Sequence, residues 1–249
     1  MSDARTLTCC GVHAVLAAFR HAPTSVLECW LRQGSAQSDL ERIAGLAAAA
    51  GVPVQRVPAE TLDRLAGGAV HQGAVIRRRP PPLRDFDTWL EGLAAVSCPL
   101  VLVVDQLQDP QNLGALLRLA DAAGVHGLVV TRDRSVGLTP AVAKVASGAL
   151  DSVPIVSVTN LVRAIDGLKR AGLWVVGAAG EATASLFELD LARPLAWVVG
   201  AEGAGLRRLT RESCDWLARI PMQGSVESLN LGTATAVCLF ETLRQRGIR

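Results

Sequence analysis

The chain has 249 residues and a mass of 26.1 kDa, enough for one large domain or two smaller ones. Apolar residues make up 50% of it and charged residues 19%, which excludes a disordered or fibrous protein. The formal net charge is only +2, and because nucleic-acid binding needs a local basic patch, this value neither predicts nor excludes such binding. No apolar run reaches the ~18 residues of a membrane span, so we expect a soluble protein.

Helix and strand patterns alternate over the first 77 residues. The apolar opening from Leu7 to Phe19 contains His13 and lacks a small-x-small cleavage site, which favours a strand, a turn and a helix over a signal peptide. The predicted helices are 13–20, 38–50 and 59–66, and the further predicted strands are 25–31, 52–57 and 74–76. These elements predict a small α/β domain over residues 1–77.

The character of the chain changes after this first domain. The triplet Arg77-Arg78-Arg79 is followed by three prolines, which stiffen the backbone and cannot continue a helix or a central strand. This composition predicts an Arg/Pro-rich linker over residues 78–97. The arginine triplet is either a solvated face or a phosphate contact, and the sequence leaves both interpretations open.

Strands and helices also alternate in the remaining residues 98–249. The predicted strands are 100–104, 127–131, 154–158, 173–178, 195–199 and 216–220, and the predicted helices are 115–123, 140–147, 160–171, 206–213 and 229–246. Such alternation predicts an open parallel sheet, whose ligands bind at the carboxyl ends of the strands. We therefore expect function in the loops after Val104, Ala178, Val199 and Ile220.

Six cysteines are scattered along the chain. None forms a C-x-x-C pair or stands at zinc spacing to a histidine, and disulfide frameworks belong to shorter secreted chains. We therefore expect reduced, buried thiols in a cytoplasmic protein, and no metal site.

The first of the expected functional loops contains Asp109-Pro110-Gln111-Asn112-Leu113-Gly114, with Arg118 further along the predicted helix. Asn112 and Arg118 are six residues apart near the start of one helix and are candidates to converge on one group. The alternative is an Asx-Pro turn beside a surface arginine.

Two later loops also hold unusual residues. After the strand that ends at Val199, Gly200-Ala201-Glu202-Gly203-Ala204-Gly205 brings three glycines, which let a backbone approach a ligand closely. The spacing and the late position exclude the dinucleotide loop of a dehydrogenase. In the last loop, Ile220-Pro221-Met222 precedes Ser228-Leu229-Asn230, where Ser228 and Asn230 are candidate ligand contacts or simply the N-cap of the terminal helix.

In this order the three loops resemble the motifs of the SpoU/TrmH family, RNA ribose 2'-O-methyltransferases of the SPOUT superfamily. The resemblance covers about residues 98–246. The first domain, with Gly11-x-His13-Ala14-Val15 and His71-Gln72-Gly73, looks like the ribosomal-protein-like RNA-binding domain of the subgroup that modifies a guanosine in 23S rRNA. The alternatives are a tRNA methyltransferase and a non-catalytic RNA-binding or ribosome-assembly factor with the same fold.

The resemblance implies an α/β catalytic domain with a deep trefoil knot, which general connection rules would not suggest. It further implies S-adenosylmethionine as cofactor and RNA as partner, with no DNA or membrane, and a homodimer formed through the C-terminal domain. Transferred by motif, the cofactor-binding residues are Gly177, Gly200, Ile220, Met222 and Leu229. The catalytic residues are Asn112, Arg118, Glu202, Ser228 and Asn230.

These roles agree with the chemistry of a ribose hydroxyl, which must lose its proton as it attacks the methyl group. Arg118 is the base proposed for the family, but a guanidinium normally stays protonated, so we expect it to bind phosphate or stabilise the developing alkoxide. Glu202 is expected to orient Arg118 or to accept the proton. Two residues depart from the family pattern: Gln111 replaces a common histidine, and Gly232 replaces a common serine and is expected to loosen the turn near the cofactor.

Overall fold

The computed structural model describes residues 6–34, 37–133, 135–146, 148–201 and 203–248. The chain divides into two compact units. The first comprises Met1–Pro82 and Gly137–Ser152, and the second comprises Leu83–Val136 and Val153–Arg249. None of the described helices has the length and apolar character that crossing a membrane requires.

The first unit contains a mixed four-stranded sheet of order β1-β4-β2-β3. Its strands are β1 (Leu7–Cys10), β2 (Val26–Arg32), β3 (Val54–Val57) and β4 (Ala74–Arg78), and only the β2–β3 pairing is parallel. Its first three helices are α1 (Val12–His21), α2 (Ser38–Ala49) and α3 (Ala59–Ala66). The alternation of helices and strands expected for this part of the chain is therefore observed.

The second unit contains a seven-stranded sheet of order β7-β6-β5-β10-β8-β11-β9, in which every pairing is parallel. Its strands are β5 (Leu100–Asp105), β6 (Leu128–Thr131), β7 (Ile155–Val158), β8 (Trp174–Ala178), β9 (Ala184–Ser185), β10 (Leu195–Gly200) and β11 (Trp216–Arg219). Its helices are α4 (Phe86–Leu93), α5 (Pro110–Ala122), α8 (Leu161–Arg170), α9 (Arg208–Ser213) and α10 (Leu231–Gln245). The predicted α/β fold with a parallel sheet is confirmed.

The central strands of this sheet are buried along their whole length. Every residue of β5 and of β10 is buried, and apolar side chains from both strands pack against α8. Continuous apolar runs are typical of parallel strands that are covered on both faces, which is why the sequence pattern predicts them well.

The range 78–97, expected to be a linker, contains helix α4. The helix begins after Asp85, whose carboxylate accepts a hydrogen bond from the backbone N–H of Thr88 at 3.1 Å and serves as the N-cap. Its Trp89 packs against the core of the second unit and donates an indole hydrogen bond to the carbonyl of His126 at 3.1 Å. The proline run predicts an irregular segment at the start of this range, but it does not predict the capped helix that follows.

Two members of the arginine triplet are engaged inside the first unit. Arg77 pairs with Glu28 at 2.8 Å, and Arg78 is buried in a bidentate pair with Asp151 at 2.5 Å for each bond. Burial lowers the pKa of Arg78, but the hydrogen bonds and charge of Asp151 outweigh that effect and raise it overall. Arg78 is therefore excluded from both interpretations, whereas they stay open for the half-exposed Arg77 and the exposed Arg79.

Asp151 belongs to a segment that the sequence pattern assigned to the C-terminal domain. This segment forms α6 (Pro140–Ala146) and α7 (Ala149–Ser152) and lies within the first unit. At Gly148 it approaches α1 so closely that an added Cβ would lie 2.5 Å from the Cβ of Ala17. Residues far apart in the sequence therefore complete the first unit.

All six cysteines are free thiols. Cys9, Cys10, Cys29 and Cys238 are buried, and burial raises the pKa of Cys9, Cys29 and Cys238 to about 12. The prediction of reduced, buried thiols is confirmed for these four, whereas Cys98 and Cys214 are partly exposed.

Candidate active site

A pocket of about 330 Å³ opens in the second unit, at the carboxyl ends of its strands. The loops after β8, β10 and β11 line it, together with the first residues of α10. Three of the four loops in which function was expected therefore meet around one cavity.

The loop after β10 is folded back tightly on its own strand. The backbone N–H of Gly205 donates to the carbonyl of Ala201 at 2.9 Å, and Gly203 and Gly205 have φ values of 78° and 64°. A Cβ on Gly200 would lie 2.1 Å from the carbonyl carbon of Gly205, so only glycine fits at that position. This return of the chain places backbone rather than side chains along one wall of the pocket.

An ion pair between a buried carboxylate and a partly exposed arginine holds the end of the glycine loop. The carboxylate of Asp105, at the end of β5, is fully buried and accepts hydrogen bonds from the backbone N–H of Arg207 at 2.9 Å and from its Nε at 2.6 Å. The sequence analysis did not identify this pair. A carboxylate directly after five apolar strand residues was the available signal, but its partner lies 102 residues away in the chain.

The rest of the pocket combines apolar walls with a few charges. Its apolar side chains include Val199, Ile220, Met222, Leu229 and Leu231. Its charged side chains, within the described part of the chain, are Glu181, Arg211 and Glu227. Arg211 on α9 and Glu181 after β8 form an ion pair at 2.5 Å, which sequence reasoning also missed.

The third motif reaches the pocket and begins the terminal helix. Ser228 lines the pocket, and Asn230 is the N-cap of α10, where its Oδ1 accepts hydrogen bonds from the N–H groups of Gly232 at 2.9 Å and Thr233 at 3.4 Å. The N-cap alternative is thus observed for Asn230. The Nδ2 amide of Asn230 makes no hydrogen bond to the described residues, so two donors stay available to a ligand.

The first motif lies on α5. Asp109 is the N-cap of this helix and accepts a hydrogen bond from Gln111 N–H at 2.9 Å, as expected for an Asx-Pro turn. Asn112 is partly buried in the first turn, whereas Arg118 is exposed and has no hydrogen-bond or ion-pair partner among residues 6–34, 37–133, 135–146, 148–201 and 203–248. Neither residue lines the pocket.

Helix packing brings the first and third motifs together. A Cβ on Gly232 would lie 3.8 Å from the Cβ of Ala115 and 3.3 Å from the Oδ1 of Asn230. The start of α10 therefore packs closely against α5, one helical turn before Arg118. Gly232, which departs from the family pattern, is buried at this contact and leaves room for the Asn230 cap.

Some of the predicted site residues line the pocket and others do not. Those that line the pocket are Gly200, Ile220, Met222, Ser228 and Leu229. Gly177 does not line it, because the space beside its Cα is filled by Leu206, Leu217 and Cys214. Glu202 lies outside the described residues. The roles assigned to all of these residues stay predictions.

Comparisons with known families match most of the chain. Residues 99–240 match the SpoU rRNA Methylase family, and residues 9–83 match a family described as RNA 2'-O ribose methyltransferase substrate binding.

Individual relatives extend this likeness to nearly the full length. The 23S rRNA (guanosine-2'-O-)-methyltransferase RlmB of Shewanella oneidensis is 48% identical over 95% of this chain and 96% of its own. The protein of the same name from Pseudomonas aeruginosa is 50% identical over 95% of both chains. Among solved structures, the SpoU methyltransferase AviRb from Streptomyces viridochromogenes, in complex with AdoMet, has a TM-score of 0.80 and 25% identity, covering 98% of this chain and 91% of its own.

Proposed function

This chain belongs to the SpoU rRNA Methylase family, and we propose that it transfers a methyl group from S-adenosylmethionine to the ribose 2'-hydroxyl of a guanosine in 23S rRNA. The observation that carries this proposal is the sequence identity of 48–50%, over 95% of the chain, to relatives whose names state that activity. Because the likeness includes both the catalytic and the substrate-binding family matches, it favours the rRNA substrate over the tRNA alternative.

The pocket fits the proposed cofactor. Its volume of about 330 Å³ lies at the lower end of the range for small-molecule sites. Ile220, Met222 and Leu229 offer an apolar environment for an adenine ring, while the glycine loop around Gly200 offers backbone groups. Arg211 and the carboxylates beside it suit the charged amino-acid end of the molecule. When bound, S-adenosylmethionine supplies a methyl group that its sulfonium already activates.

The protein's own residues would prepare the ribose hydroxyl for attack. We assign Ser228 and the Nδ2 amide of Asn230 to positioning the ribose and its phosphates, because both belong to the segment that joins the pocket to α10. Asn112 has the same role from the facing helix α5. Holding the hydroxyl beside the methyl donor accounts for much of the expected rate enhancement.

Arg118 is assigned to the charge that develops on the attacking oxygen. It is exposed and unpaired within the described part of the chain, so its guanidinium is available to a phosphate or an alkoxide. The family match includes Glu202, to which we assign the orientation of Arg118 or acceptance of the proton.

We extend the proposal to the organisation of the protein. Residues 1–77, completed by Gly137–Ser152, form the RNA substrate-binding domain, 78–97 the connecting region with α4, and the rest of 98–249 the catalytic domain, whose chain is tied in a trefoil knot. The strand order is compatible with the knot, since β10, which comes late in the chain, lies between β5 and β8. The active form is a homodimer through the C-terminal domain and is cytoplasmic.

Methyl transfer from labelled S-adenosylmethionine into deproteinised 23S rRNA and total tRNA, side by side, tests the proposal. We expect label at one guanosine of 23S rRNA, mapped as a ribose 2'-O-methyl group. Label in tRNA alone would contradict the rRNA substrate and keep the enzyme class. The absence of cofactor binding would favour the non-catalytic RNA-binding alternative.

A further inference from the structure

Most of the described arginines of the second unit have a side-chain partner, and two of them, Arg219 and Arg246, donate to backbone carbonyls. Five form ion pairs: Arg193 with Asp190, Arg207 with Asp105, Arg208 with Glu212, Arg211 with Glu181, and Arg244 with Glu241. Exposed arginines whose side chains have no partner in the described part of this unit are fewer, and three of them line the same groove: Arg132, Arg163 and Arg170. Three guanidinium groups in one groove form a candidate site for an anionic ligand.

The groove has a volume of about 530 Å³ and lies outside the edge strand β7. Arg132 follows β6 directly, while Arg163 and Arg170 stand seven residues apart on one face of α8. Between them lies Gly167, where an added Cβ would be 2.8 Å from Cε1 of Phe86. The phenyl ring of Phe86 therefore packs on α8 between the two guanidinium-bearing positions and forms part of the groove floor.

Two carboxylates also line the groove. Asp85 is the N-cap of α4, and hydrogen bonds from the backbone N–H and the hydroxyl of Thr88 lower its pKa. Asp87 is exposed and has no side-chain partner within the described residues. The groove is thus lined by three positive and two negative side chains. We expect the arginines to attract an anionic ligand and the two aspartates to weaken its binding.

The groove begins at the same edge of the sheet as the candidate active site, where Arg132 and Asn160 follow β6 and β7, and it continues along α8 to Arg170 at the far end of that helix. Strands β7, β6, β5 and β10 are parallel neighbours, so their carboxyl ends meet at one edge. A bridge between Leu107 and Ser135 joins the loop after β5 to the loop after β6. Three inter-strand steps of ~4.8 Å separate β10 from β7, which gives about 14 Å between the glycine-loop strand and the edge strand. A single-stranded RNA segment can span this distance.

We propose that this arginine groove, formed by Arg132, Arg163 and Arg170, binds the phosphate backbone of the RNA substrate beside the target nucleotide. The identity of the ligand as RNA rests on the proposed function. Guanidinium groups match phosphate oxygens with paired hydrogen bonds, and three of them from two elements fix a backbone in one direction without reading its sequence. The groove thereby positions the ribose that the active site methylates.

The test is binding of deproteinised 23S rRNA by the full chain, measured by filter binding over a range of salt concentrations. For the triple variant R132A/R163A/R170A we expect a Kd at least ~10-fold higher, and a slope of log K against log salt reduced by about 2, since each phosphate contact in a single strand contributes ~0.7. The KM for rRNA should rise while kcat at saturating rRNA and the affinity for S-adenosylmethionine stay unchanged. The matched control is Arg208→Ala, which removes an exposed arginine that is paired with Glu212.

Two further variants separate a phosphate contact from a general loss of structure. The triple lysine variant R132K/R163K/R170K should retain most of the salt slope, because lysine keeps the charge. Asp87→Asn should bind rRNA more tightly than the wild type, because it removes a like charge from the groove. An unchanged Kd and salt slope in the alanine variant would overturn the proposal even if methyl transfer proceeds. Conversely, a wild type that binds rRNA but fails to methylate it would contradict the proposed function and leave the groove supported by the variant comparison.

Discussion

The proposed mechanism depends most directly on Arg118, which is assigned to the charge that develops on the attacking oxygen. It is exposed on α5, away from the residues that line the pocket, and the packing of Gly232 against Ala115 brings its helix beside the start of α10. We therefore expect Arg118→Ala to abolish methyl transfer, with a loss of at least ~10²-fold in kcat, as for removal of other groups that stabilise a developing oxyanion. Cofactor affinity, measured by calorimetry, should be unchanged.

The control for this variant is again Arg208→Ala, whose guanidinium pairs with Glu212 on α9. Turnover of Arg118→Ala at the wild-type rate would remove Arg118 from the mechanism.

Gly200 tests whether the backbone of the glycine loop forms the cofactor site. Because its Cβ would lie 2.1 Å from the carbonyl carbon of Gly205, Gly200→Ala must displace the loop. We expect a destabilisation of ~1–3 kcal/mol and a clear loss of S-adenosylmethionine affinity, measured by urea unfolding and calorimetry.

Gly45→Ala on α2 is the comparison, since its Cβ would meet no atom within 4 Å. It should bind cofactor normally and gain up to ~1 kcal/mol of helix stability. Unchanged cofactor affinity in Gly200→Ala would argue against the role of the loop.

At the scale of elements, the Arg78–Asp151 pair joins β4 to α7 inside the first unit. Both side chains are buried, so Asp151→Ala leaves a guanidinium without its counter-charge. We expect this variant to lower the free energy of unfolding by ~3–5 kcal/mol, measured by urea titration with circular dichroism.

The half-exposed pair of Arg77 with Glu28 provides the contrast within the same unit. Its removal by Glu28→Ala should cost less than ~1 kcal/mol. Equal losses for the two variants would show that burial does not decide the strength of the Arg78–Asp151 pair.

At the scale of the whole molecule, the proposed homodimer requires an open apolar surface on the second unit. Phe240 on α10 is 47% exposed, one turn beyond the partly exposed Val237. We expect Phe240→Glu to produce a monomer at micromolar concentration by light scattering, because a carboxylate would be buried in the interface. Val70→Glu, at a residue of the first unit that is 69% exposed, should leave the dimer intact.

A monomeric wild type that retains activity would contradict the dimer. It would also limit the proposed catalytic assembly to residues of a single chain.

Features that depend on local spacing could be predicted from neighbouring residues alone. The apolar run of β5 predicts a buried parallel strand, which the structure shows, and the order of the three motifs identifies the family. Asn230 was a candidate for a helix cap or a ligand contact and Asp109 for an Asx-Pro turn, and the structure shows that both cap helices. Periodicity and capping act within one turn or one strand, so they can be read from neighbouring residues.

Contacts between residues that are distant in the sequence could not be predicted in this way. Asp105 pairs with Arg207, and Gly137–Ser152 completes the first unit through Arg78. The arginine groove likewise combines Arg132 with two residues of α8. No periodicity records these contacts, because each depends on the order in which the strands join the sheet and on the close approach of helices from separate parts of the chain.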